Sequence, residues 1–240
     1  MGIDLVVFDL AGTTVEDAGQ VPAAFSAALQ KHGLAIEWGL LASVRGASKR
    51  DAISRLVASR IGDRNEARAC ADAIYADFCR ALAERFAAEL RPVPGAPDVF
   101  RWLQQRGVRV ALNTGFDRPM TQLITDGLCW NDGLVDAVVC GDDVPQGRPA
   151  PFLIFRAMEI TGMACVHRVV NIGDTALDLQ AGWNAGVAVN VGVLSGAHTR
   201  ERLTQAPHTD LIASVAVLPD LWPTLVGRVA SMCDKSGVLP

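Results

Sequence analysis

After Pro94-Gly95 the chain alternates short apolar runs with helical patterns, and this alternation constrains the fold more than any other feature of the sequence. Strands are expected near Val108 to Leu112, Ala137 to Cys140, Val169 to Ile172 and Val187 to Val191, with helices between them. Strands separated by a helix-length gap are joined by crossovers, which leave neighbouring strands parallel. One more strand opens the chain, because Ile3 to Phe8 is apolar apart from Asp4, as in a strand buried on both faces. The expected fold is α/β: a doubly wound, Rossmann-like parallel sheet whose ligands bind outside the carboxyl ends of its strands.

Between that first strand and Pro94 the period changes. Val21, Phe25 and Leu29 recur every four residues, and Gly33 supplies a stop. A second helix is expected from about Arg50, with Ile53, Leu56, Val57 and Ile61 on one face. The longest carries Ile74, Phe78, Leu82, Phe86 and Leu90 at steps of four, before Pro92 and Pro94 end it. Residues 17–90 are thus expected to form a small helical insert after the first strand, with 1–16 and 91–240 forming the sheet domain. Lys235 to Pro240 are expected to fray.

Composition narrows the function classes. Half of the 240 residues are hydrophobic, enough for a large core, yet charges break every apolar run well short of the ~20 residues a membrane span needs. Leu5-Val6-Val7-Phe8 has no basic region before it and is stopped by Asp9, unlike a secretory signal, so a cytoplasmic location is expected. A net charge of -4 without a dense lysine or arginine cluster points away from nucleic acid. The six cysteines lack a C-x-x-C pair and the four histidines are scattered, so neither zinc nor a disulfide framework is expected.

Polar groups follow the expected strands at Asp9, Thr114, Arg148 and Asp174, with Asp178 one helical turn further on, and their strand ends should converge. Taken singly each fits a turn or cap residue, and Asp142 and Asp143 fit a turn. The order carries more: Asp9-x-x-Gly12-Thr13, Asn113-Thr114-Gly115, Arg148-Pro149-x-Pro151 and Gly173-Asp174-Thr175-x-x-Asp178. In this order, over nearly the whole chain, the sequence resembles the haloacid dehalogenase-like hydrolases, and its helical insert resembles that family's cap. No G-x-x-x-x-G-K-[ST] loop or G-x-S-x-G elbow competes for the site.

The resemblance implies phosphoryl transfer to Asp9. A carboxylate nucleophile must approach an anion that repels it, so cations and donors have to offset the repulsion. A Mg2+ ion held by Asp9, Asp174 and a backbone carbonyl of Leu10 or Ala11 would do so; the resemblance assigns the carbonyl to Ala11. Asp178 is a further ligand or a partner behind the ligands. Thr114 would donate to a phosphoryl oxygen and Arg148 would orient and stabilise the phosphorylated Asp9, with Gly12, Thr13, Gly115 and Phe116 as substrate contacts.

Most phosphatases of this family place a second aspartate two positions after the nucleophile to protonate the leaving group, and this chain has Ala11 there. The opening D-x-A-G-T-T-V resembles the phosphonoacetaldehyde hydrolase (phosphonatase) subgroup, where a cap lysine forms a Schiff base and carbon leaves as an enamine. The segment from Arg45 to Asp51 has that subgroup's G-x-x-K-x-D spacing, which makes Lys49 the counterpart and sets Arg45 and Gly46 at the substrate. Ser48 and Asp51 form a capping-box pattern that puts Lys49 in a first helical turn, where the helix dipole, with Arg45 and Arg50 near in sequence, favours a neutral amine. The subgroup's histidine is Ala52 here, its methionine Arg45 and its tyrosine Phe116, so the substrate stays open within small phosphonates and phosphorylated metabolites. A phosphate monoesterase is the alternative, ahead of a dehalogenase, which needs no metal, and of a non-catalytic binding protein. A monomer or homodimer is expected.

Overall fold

The computed structural model describes residues 2–34 and 48–236. Its centre is a parallel six-stranded sheet of order β3-β2-β1-β4-β5-β6. The strands are β1 (Leu5–Asp9), β2 (Arg109–Asn113), β3 (Ala137–Val139), β4 (Val169–Gly173), β5 (Val189–Val193) and β6 (Asp210–Ile212). All residues of β1, β4 and β5 are buried, which is why these segments are apolar runs instead of alternating patterns.

Side-chain alternation along β1 divides the core. Val6 and Phe8 face one cluster, with Val110, Leu112, Val170 and Ile172; Leu5 and Val7 face the other, with Ala111, Val139 and Val169. On the first face Phe8 packs at 5.1 Å on Phe100 of α4 (Ala96–Gln104), and Phe100 meets Trp130 edge-on at 5.3 Å. The second face is covered by α6 (Phe152–Thr161), through Leu153, Ile154 and Ala157, and by α7 (Ala176–Ala185), through Ala181 and Ala185.

Three helices lie between β1 and α4 among the described residues: α1 (Gln20–Lys31), α2 (Lys49–Ala58) and α3 (Arg64–Ala88). Both α1 and α2 pack on α3, which buries Ala67, Ala71, Ile74, Tyr75, Phe78, Leu82 and Phe86 along one side. Asp77 of α3 ties down the end of α1, with Lys31 Nζ at 2.8 Å and His32 Nε2 at 2.9 Å. The chain enters and leaves this region side by side: Glu16 N donates to Arg91 O at 3.0 Å and Val93 N to Thr14 O at 2.8 Å.

Several sequence expectations shift. Leu90 lies beyond α3, which ends at Ala88, because Pro92 pairs in extended form with Val15. The strand expected at Val187 to Val191 starts two residues later, at Val189, where pairing with Val170 begins. The edge strand β6 was not expected, since Asp210-Leu211-Ile212 offers too short an apolar run. The remaining helices are α5 (Arg118–Gly127), the short α8 (Arg200–Leu203) and α9 (Leu218–Ser236). Among the described residues no helix is long and apolar enough to cross a membrane. The described cysteines Cys70, Cys79, Cys129, Cys140 and Cys165 are free.

Candidate active site

Because β1 pairs with both β2 and β4, the connection order reverses at its carboxyl end, where a doubly wound sheet opens a crevice. Asp9 ends β1, Thr114 follows β2 and Asp174 follows β4. A cleft of about 610 Å³ opens there, lined by Asp9, Ala11, Lys49, Thr114, Gly115, Phe116, Arg148 and Asp174, together with residues of α1 and the loop before it.

Arg148 sits among the carboxylates with its side chain only 3% exposed. Its Nη1 lies 2.7 Å from Asp9 Oδ1, and Nη2 donates to the Asn113 carbonyl at 3.0 Å and to Asn113 Oδ1. Its Nε lies 2.8 Å from Asp178 Oδ1. That contact is an ion pair and not an aligned hydrogen bond, since Asp178 Oδ1 is buried without a hydrogen-bond partner. The other oxygen, Oδ2, accepts from Thr175 N at 3.0 Å in a capping box that starts α7.

Asp174 is held from the opposite side. Its Oδ2 accepts from Ala197 N at 2.6 Å and its Oδ1 from the Thr13 hydroxyl at 3.3 Å. A Cβ on Gly196 would come within 2.1 Å of Asp174 Oδ2, and one on Gly12 within 2.5 Å, so both backbones approach as only glycine permits. Gly12 also has φ +92, in the left-handed region. Behind the site, Asn171 on β4 and Asn190 on β5 are in register and hydrogen-bonded at 2.9 Å. Asn171 Nδ2 donates to the Asp178 carbonyl at 3.1 Å, and Asn190 Nδ2 to the Leu179 carbonyl at 2.7 Å, which fixes the first turn of α7 to the sheet.

Lys49 is the first residue of α2, with Ser48 as N-cap accepting from Asp51 N at 3.3 Å. Its side chain is buried, and Nζ lies 5.8 Å from the centre of the Phe116 ring. Arg50 points elsewhere: it stacks on Tyr75 at 4.3 Å and pairs with Asp72 at 2.8 Å. The nearby guanidinium felt by Lys49 is therefore that of Arg148 and not that of Arg50. Thr114 Oγ1 accepts from Phe116 N at 3.2 Å, which leaves its O–H to donate to another group.

Burial dominates the electrostatics. It pushes Asp9 up to about 6 despite Arg148, and Asp178 adds to the rise. Burial likewise raises Asp174 well above the usual carboxylate range, helped by Asp9 and Asp178. Lys49 is lowered by burial and by Arg148, against the opposing pull of Asp9, Asp17 and Asp174. Arg148 resists its own burial, because Asp178 and Asp9 hold its proton.

The donor set fits a hard divalent cation. Asp9, Asp174 and Asp178 each offer a carboxylate oxygen, all buried and within 4.8 Å of one another, and one of the Asp178 oxygens lacks a hydrogen bond.

The structure thus brings Asp9, Ala11, Lys49, Thr114, Gly115, Phe116, Arg148 and Asp174 to one cleft, with Asp178 directly behind Arg148. Gly12 and Thr13 lie against Asp174. Arg45 and Gly46 fall outside the described residues. Asp142 and Asp143 are turn residues that hold Arg118. The sequence motif includes Asn113 without a role for it, yet its carbonyl and side chain both receive Arg148; Asp17 on the cleft wall lies outside the motifs. Neither residue type announces its role.

Comparison with known proteins agrees with this geometry. Residues 3–186 match the family model of haloacid dehalogenase-like hydrolases. A phosphonoacetaldehyde hydrolase of Bacillus cereus is 30% identical over 82% of this chain and 78% of its own length. Among solved structures, a phosphonoacetaldehyde hydrolase-like protein from Oleispira antarctica superposes with a TM-score of 0.83 at 20% identity, covering 96% of this chain and 95% of that one. CbbY from Rhodobacter sphaeroides, solved in complex with phosphate, gives a TM-score of 0.73 at 21% identity over 90% of this chain and 96% of its own. Both structural matches speak to the fold.

Proposed function

This chain belongs to the haloacid dehalogenase-like hydrolases, within their phosphonatase-like group, and we propose that it cleaves a small phosphonate or phosphorylated metabolite through an aspartyl-phosphate on Asp9. The observation that carries the reading is the ion pair of Arg148 with Asp9, made in a cleft that also receives the buried amine of Lys49.

In this reading an Asp9 oxygen attacks phosphorus while the bond to the leaving group breaks and its electron pair departs with that group. Thr114 donates its hydroxyl to a phosphoryl oxygen, and Arg148 keeps Asp9 aimed and offsets the charge of its phosphorylated form. Water then cleaves the acyl phosphate, releasing orthophosphate and restoring Asp9. Asp9, Asp174, Asp178 and the Ala11 carbonyl would hold Mg2+, which supplies charge neutralisation at the phosphoryl oxygens when bound. The helices α1, α2 and α3 serve as the cap that excludes water from the cleft.

Ala11 supplies no acid, so the leaving group needs another partner. Lys49, lowered by burial, is suited to form an imine with a substrate carbonyl, losing water, so that carbon leaves phosphorus as an enamine. A phosphate-release screen of esters and phosphonates with Mg2+ tests the hydrolase, and Asp9→Asn should abolish turnover by at least about a thousandfold. Phosphonoacetaldehyde with borohydride should leave a reduced adduct on Lys49. An unmodified Lys49 with ester hydrolysis intact would instead support a phosphate monoesterase, the reading favoured by the loss of the subgroup's histidine and tyrosine at Ala52 and Phe116.

A further inference from the structure

One wall of the cleft, formed by Val21, Pro22 and Phe25 of α1, is apolar, and among the described residues a single carboxylate, Asp17, stands beside it. Asp17 Oδ1 accepts from the backbone N–H groups of Gly19 and Val21, both at 3.1 Å, and so substitutes for the side-chain cap that Gly19 cannot provide. These bonds fix the half-buried carboxylate in place. Its second oxygen, Oδ2, receives no hydrogen bond from any described residue.

We propose that Asp17 Oδ2 is a specificity determinant which selects substrates whose organic part carries a hydrogen-bond donor, a hydroxyl or an ammonium, beyond the phosphoryl or phosphonyl group. The other carboxylates of the cleft, Asp9 and Asp174, are committed at its phosphoryl end to Arg148, Thr13 and Ala197. Among the described residues of this wall, a donor on the organic part therefore meets aliphatic and aromatic surface except at Asp17. A cap for α1 needs one acceptor oxygen, whereas Asp17, which lines the cleft, carries a second. A ligand without a donor would strip water from that oxygen and return nothing, a penalty on the order of tenfold in affinity or more. Asp17 also lies within electrostatic reach of Lys49, favouring its ammonium form.

The inference rests on the hydrolase reading for what occupies the phosphoryl end, and binding separates the two. The full-length protein with Mg2+ would be titrated by calorimetry with ethylphosphonate, 2-hydroxyethylphosphonate and 2-aminoethylphosphonate, which differ only in the donor. At least one donor-bearing ligand should bind about tenfold or more tighter than ethylphosphonate, and the two arms separate hydroxyl from ammonium. Asp17→Asn keeps an acceptor for Gly19 and Val21 but turns toward the cleft an amide N–H that a hydroxyl can accept and an ammonium cannot, whereas Asp17→Ala removes the acceptor for both. The gap should shrink below about threefold for the ammonium in either variant and for the hydroxyl in Asp17→Ala. Equal affinities for all three ligands, a gap that survives Asp17→Ala, or no binding by any of them would overturn the proposal. Phosphate release from the ester and phosphonate screen is read separately, so loss of the hydrolase reading and loss of this one give different results.

Discussion

Arg148 and Asp178 form an ion pair of 2.8 Å in which the two side chains are only 3% and 2% exposed. A pair so removed from water gains little net stability by itself, but removing one partner strands the other. Arg148→Met would leave both Asp178 and Asp9 without their guanidinium. The expected cost is about 3–5 kcal/mol, measured by urea unfolding, with activity lost along with stability.

The metal-free protein should lose stability as pH rises. Burial places Asp9 near 6, above its usual 3.8, so the folded state retains a proton that the unfolded chain gives up. Stability is then full below the unfolded value and declines as pH climbs toward 6. Mg2+ held by these carboxylates as proposed would need the ionised form, so its stabilising effect should be larger at about pH 7.5 than at pH 5. Thermal melts with Mg2+ and with a chelator at both values check this, and an equal shift at the two would contradict it.

Gly196→Ala tests the backbone that presses on Asp174. The new Cβ would lie 2.1 Å from Oδ2, and a buried carboxylate has little room to retreat. The concentration of Mg2+ giving half-maximal activity should rise about 10–100-fold, with the circular dichroism spectrum unchanged.

Asn171 and Asn190 should behave as a unit. Asn171→Val removes the donor to Asn190 Oδ1 and to the Asp178 carbonyl, at an expected cost of about 1–3 kcal/mol. Changing both residues should cost less than the sum of the single changes, a coupling that a double-mutant cycle in urea reads directly.

Asp77 offers a pH test away from the cleft. Hydrogen bonds from Lys31 and His32 pull it down to about 2, so its contribution is present above 3.8 and lost as pH falls through 2. Asp77→Asn should lower the melting temperature at pH 6, and the difference from the parent protein should close between pH 4 and pH 2.

How far the sequence anticipated the molecule depended on how locally each feature is encoded. β1 and β4 were legible because burial on both faces leaves an unbroken apolar run, whereas β6, an edge strand of three residues, depends on its pairing with β5. The start of α2 was legible because Ser48 and Asp51 write a cap within four residues. Motif order indicated that Asp9, Thr114, Arg148 and Asp174 would converge. It did not indicate that Thr13 and Gly12 serve Asp174, nor that Arg50 turns away to Tyr75, because those contacts are set by packing between segments far apart in the chain. Asp17 escaped notice for a similar reason: an acidic residue ahead of a helix reads as a cap, and only the position of its second oxygen separates a cap from a contact.

The side-by-side passage of Glu16 and Arg91 brings together the two chain connections between the α1–α3 segment and the sheet. The residues of α1 and α2 that line the cleft can be rewritten between those two residues without altering the order of a single strand. A lineage built this way can change what it consumes while keeping how it consumes it.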